Sequence, residues 1–99
     1  MQASYEARFE RDMGCTADEL RFWMPGACRQ APTRLFDQGA DIQLNTGLLS
    51  IRWEPLPPRR IALITLPRLK VQFDFGEVGE AERQAFMRHF DLYTQRGGG

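Results

Sequence analysis

His89, Cys15 and Cys28 are the side chains of this 99-residue chain that titrate nearest neutral pH, so proton transfer, thiolate attack or soft-metal binding would fall to them. Their spacing does not favour any of the three. A metal at His89 would need thiolates or carboxylates from elsewhere, and its neighbours Arg88 and Asp91 mark a helix surface. Twelve residues separate Cys15 from Cys28, whereas zinc ribbons and redox motifs hold their thiols in close pairs. A Cys–His nucleophile pair would depend on tertiary contact, and lone cysteines more often behave as small buried apolar residues. The glycines fall at turns and in the tail, without the strand, loop and helix of a phosphate-binding motif. We therefore expect a non-enzymatic protein with no metal and no cofactor.

Charge gives a second kind of candidate. Thirteen basic and thirteen acidic residues sum to zero, so no general affinity for nucleic acid or a membrane is expected. The distribution is uneven, however. Arg52, Arg59, Arg60, Arg68 and Lys70 face a single acid, Glu54, between positions 52 and 70. Arg59, Arg60, Arg68 and Lys70 form a candidate site for an anion or an acidic partner. Solvating a sheet face is the plain alternative role for the same charges.

Two short stretches resemble known signals. Leu56-Pro57-Pro58-Arg59-Arg60 is similar to proline-rich ligands of SH3-type grooves, although as a hairpin loop it reads as a rigid turn. Gln95-Arg96-Gly97-Gly98-Gly99 resembles the diglycine tails of ubiquitin-like sulfur carriers. That resemblance implies a terminal carboxylate that is adenylated, and it covers the tail alone. Those carriers reach their tail from a strand of a β-grasp fold, and here a helical pattern precedes it.

The elements that would position these residues follow from periodicity. Ser4 with Tyr5, Phe9 and Met13 predicts a short helix over 4–13, and Thr16 with Glu19 has the capping-box spacing for a second over 16–24, stopped by Pro25-Gly26. Strands are predicted over 33–37, 40–45, 48–54, 60–66 and 69–75, with the prolines at 55, 57 and 58 in a projecting loop. Phe86, Phe90 and Tyr93 then predict a helix over 80–95. The expected fold is α+β, an antiparallel meander of about five strands with helices on one face. It would form a single domain over 1–96 with a flexible glycine tail at 97–99.

Ile61 to Leu66 is apolar at nearly every position, so a central strand there would turn one alternate set away from the helices. Ala62, Ile64 and Leu66 on that side, rimmed by Arg52 and Gln72, have the make-up of an interface. The expected function is a cytoplasmic protein-interaction module, homodimeric through the open sheet face, with an acidic protein as a further partner. The alternative is a small-ligand binder with an apolar pocket between a curled sheet and the last helix. No membrane span or secretory leader is expected from the sequence.

Overall fold

The computed structural model describes residues 5–95. The elements in chain order are β1 (Arg8–Met13), α1 (Ala17–Ala27), β2 (Thr33–Phe36), β3 (Gly39–Gln43), β4 (Leu48–Ile61), β5 (Ile64–Asp74) and α2 (Glu80–Gln95). The strands form one antiparallel sheet in the order β1-β5-β4-β3-β2. Strands β2 to β5 are a meander, and β1 closes its outer edge. The glycine tail, and with it the carrier-like terminus, lies outside the described residues, as does Ser4.

The α+β class and the helix over 80–95 agree with the sequence reading. There are three differences. The stretch predicted as a helix over 4–13 contains the strand β1, because Tyr5, Phe9 and Met13 are four residues apart, a spacing that fits a period of two as well as one of 3.6. Pairing decides it: Phe9 lies opposite Phe73 and Met13 opposite Leu69, on an edge of β5 that would otherwise be open. The helix capped by Thr16 carries both halves of the capping box, but it continues through Pro25 and Gly26 to Ala27. Gly26 is a packing residue there, since a Cβ would collide with the Tyr93 ring and hydroxyl on α2. The helix ends in a Schellman pattern, Gln30 N–H to Pro25 O and Arg29 N–H to Gly26 O, with Arg29 at φ 52° in the place usually taken by glycine.

The third difference concerns the strands predicted over 60–66 and 69–75 with a proline loop before them. β4 runs straight through Pro55, Pro57 and Pro58, and β5 through Pro67, so the chain reverses at Ala62-Leu63 rather than at Pro57 or Pro67. β3 leaves β4 at Arg52 and β1 leaves β5 at Leu69, and beyond those points the pair continues alone. Prolines survive in such strands because the outer edges have no partner awaiting a donor.

Both helices cover one face. Leu49, Ile51, Trp53, Leu69, Val71, Phe73 and Phe75 point inward and meet Leu20 and Met24 of α1 and Met87 and Phe90 of α2, all buried. Phe9 stacks on Phe73 at 4.8 Å, and Phe90 meets Phe73 edge-on at 5.4 Å, the offset and T-shaped arrangements that ring quadrupoles favour. Arg11 points inward from β1. It is satisfied by Asp91 of α2 at 2.6 Å, which also accepts from Tyr5 Oη, so the edge strand is fastened to the helix. Among the described residues, no helix is long and apolar enough to cross a membrane.

Candidate functional site

The paired strands beyond the sheet make an arm, and its surface is built by one irregularity. From Leu56 to Arg59 is three residues on β4, while the partners Arg68 and Leu66 are two apart on β5, so a bulge inserts one extra residue at Pro57-Pro58. Directly paired residues share a face, so the bulge changes which side of β4 looks outward. Without it Pro58 and Arg60 would continue the row of Glu54 and Leu56. With it, Arg59 and Ile61 do, and Ile61 joins Ile64 and Leu66 on one side. The prolines fit that place because a bulge leaves a residue unpaired and needs no donor from it.

The surface so formed is apolar and uncovered. Ile61 is 53 % exposed, Ile64 58 %, Leu66 42 % and Leu63 at the tip fully exposed. Every residue from Pro57 to Leu66 is exposed. Ala62 opens the turn at φ 55°, a left-handed position that favours glycine. Arg59 lies opposite Leu66 and Arg60 opposite Thr65, and neither makes an ion pair with a described residue.

The expected interface residues do not form one patch. Ala62 is in the turn, Ile64 and Leu66 are on the arm, and Arg52 faces Gln72 across the sheet body. Gln72 lies eight strand steps from Ile64, roughly 26 Å at strand rise. The open face itself is polar and laced by ion pairs: Arg8–Asp74 at 3.3 Å, Lys70–Glu10 at 3.9 Å and Arg52–Asp41 at 3.1 Å. The expected anion site divides in the same way. Arg68 is held by Asp12 at 2.7 Å and Lys70 by Glu10, which leaves Arg59 and Arg60 near the tip without an ion-pair partner among the described residues. Sequence reasoning missed Ile61 and Leu63. Their signal was the near-equal run of strand residues on either side of Ala62-Leu63, hidden because the turn contains no Gly, Asn, Asp or Pro.

The groups with chemical potential are committed elsewhere. Burial pushes both thiols up to about 11, so Cys15 and Cys28 stay protonated and unreactive near neutral pH. His89 is half-buried, with Nε2 2.9 Å from Gly26 O. Among the described residues no three His, Cys, Asp or Glu side chains gather in a group able to hold a metal. A groove of about 370 Å³ between the end of α1, the β3–β4 turn and α2 is lined by Ala27, Leu44, Phe86 and His89, with Arg29 and Glu82 also in its wall. Its acid is occupied: the Glu82 carboxylate accepts from the Asn45 and Thr46 N–H groups and from Thr46 Oγ1, and the Thr46 hydroxyl bond is the main reason it titrates below its ordinary range.

In comparisons with known proteins, no family model, no curated protein and no solved structure matches the chain.

Proposed function

We propose that the chain is a non-enzymatic docking module whose working part is the β4–β5 arm. One observation carries the reading: ten consecutive exposed residues, including Ile61, Leu63, Ile64 and Leu66, are held clear of a body that buries Ile42, Leu49, Ile51, Leu69 and Val71 and leaves only Leu35 and Leu48 as exposed, separated aliphatics among its described strand residues. A two-stranded hairpin alone in water is marginal, and apolar side chains gathered at its end lower the free energy only when something covers them. The apolar surface that suggested a homodimer through the open sheet face belongs instead to the arm, so self-association, if present, would run through the arm as well.

The test uses 15N-labelled protein added to the soluble extract and, separately, to the washed membranes of cells that produce the chain. Selective loss of amide signal over residues 59–66 is expected in one fraction, and not for the double variant Ile64→Glu with Leu66→Glu. Unchanged arm signals in both fractions would overturn the reading.

A further inference from the structure

The arm presents charge and apolar surface in a definite order along its length. From Pro55 to Phe73 there is no acid, and the basic residues are Arg59, Arg60, Arg68 and Lys70. With Arg68 and Lys70 paired to Asp12 and Glu10, the free charge sits at the Arg59–Leu66 and Arg60–Thr65 positions. Beyond them lie only Ile61, Ala62, Leu63 and Ile64. Two strand positions and the turn set the tip roughly 10 Å past the Arg59 level. At the other end of β5, ten residues from Ile64, Asp74 is paired to Arg8, and past it come Glu77 and Glu80, which make no ion pair with a described residue. The zero net charge thus conceals a polarised molecule, cationic at the arm and acidic at the far end.

We infer that the tip of the arm inserts into the surface of an anionic phospholipid bilayer, with Ile61, Leu63 and Ile64 at the acyl boundary and Arg59 and Arg60 among the headgroups. This rests on the docking reading above and names the partner. The spacing matches the burial of about 5–10 Å that interfacial elements reach, a depth at which backbone groups on the open edges of the hairpin still meet water. The polarity of the molecule turns the arm toward a negative surface and the Glu77–Glu80 end away from it.

Three features weigh against a protein partner. Ten exposed arm residues fall short of the roughly 20–30 a side of a stable protein interface. The arm from Pro55 to Arg68 contains no aromatic anchor, the residue type on which protein hot spots most often rest. Pro55, Pro57, Pro58 and Pro67 interrupt both free edges, which removes strand addition as a binding mode over most of the arm. For a second copy stacked arm on arm, Arg59 and Arg60 would also be brought toward their own kind.

The experiment is co-sedimentation of the full chain with vesicles of phosphatidylglycerol and phosphatidylcholine, beside vesicles of phosphatidylcholine alone. Binding to the anionic vesicles is expected, weakening as salt shortens the Debye length from about 8 Å to about 3 Å. Arg59→Gln and Arg60→Gln should each weaken it about fivefold, and Leu63→Glu tenfold or more. These positions are exposed, so the variants should fold, which circular dichroism checks. The Leu63→Trp variant should show blue-shifted emission on anionic vesicles and quenching by shallow brominated acyl chains. Absence of wild-type binding, retention of binding by Leu63→Glu, or an unshifted emission from the Leu63→Trp variant would each overturn the proposal. If vesicles fail while sedimentation shows a dimer abolished by Leu63→Glu, or while the soluble extract engages the arm, the bilayer is wrong and the docking reading survives. If neither membranes, extract nor a second copy engages the arm, both fall.

Discussion

Strands β4 and β5 serve two regions of opposite character, a body and an arm, with side chains of the same kind. In the body, Leu49, Ile51, Val71 and Phe73 are buried under the helices; ten residues along, Ile61 and Ile64 are more than half exposed. Apolar content does not separate the two regions. The difference is cover: α1 and α2 lie over the body, β1 pairs with β5 no further than Leu69 and β3 with β4 no further than Arg52, and from Pro57 to Leu66 every residue is exposed. Burial of each such side chain stabilises by about 1.5–3 kcal/mol, so the body supplies the fold while the arm keeps the same capacity unused for whatever docks.

The sharpest way to break this comparison is to cut equally deep in both regions. Phe73→Ala, in the centre of the aromatic cluster, should cost about 3–5 kcal/mol in chemical denaturation. Ile64→Ala on the arm should change stability by less than about 0.5 kcal/mol. Equal losses would mean that the arm is part of the core.

Next in size is the fastening of β1. Arg11→Ala leaves Asp91 half-paired beneath Tyr5 and should cost about 2 kcal/mol, reduced from the buried-pair range because both side chains keep some solvent. Amide exchange should rise first at the β1–β5 pairs and not on the arm.

Glu82 gives a smaller, pH-dependent effect. Its folded carboxyl titrates below the ordinary 4.5, so its contribution is present above that value and lost as pH falls through the lower folded one. Glu82→Gln should cost about 1 kcal/mol at pH 7 and flatten the acid limb of the stability curve, since the bonds it removes are charge-assisted but exposed. An unchanged acid limb would remove Glu82 from the account of the β3–β4 turn.

The smallest effects are gains. Arg29→Gly and Ala62→Gly each place glycine at a left-handed backbone and should stabilise by about 0.5 kcal/mol. The first should raise the global midpoint. The second should slow amide exchange only on the arm.

Much of the body could be read from the residues in order. The alternation over Leu49, Ile51 and Trp53 and over Leu69, Val71 and Phe73 describes a half-buried sheet without knowledge of what covers it, and Thr16 with Glu19 marks a helix start by local bonding alone. Where reading failed, local signals conflicted with pairing. Tyr5, Phe9 and Met13 satisfy two periods, and the choice was made by the open edge of β5. Pro57-Pro58 signals a loop locally, yet a bulge on a lone hairpin accepts both. The candidate site was legible as a composition, aliphatic and arginine together, but not as a shape. The parity of Ile61 depends on one inserted residue, and a turn at Ala62-Leu63 carries none of the usual turn residues.

The most direct test of the division between body and arm replaces residues 57–67 with Asn-Gly, joining the paired Leu56 and Arg68 through a two-residue turn. Chemical denaturation should then give a stability within about 0.5 kcal/mol of the full chain, with the remaining sheet amides at their original shifts. A loss of more than about 2 kcal/mol, or a body that no longer folds cooperatively, would contradict the claim that the arm stands apart from the fold and is held out for docking.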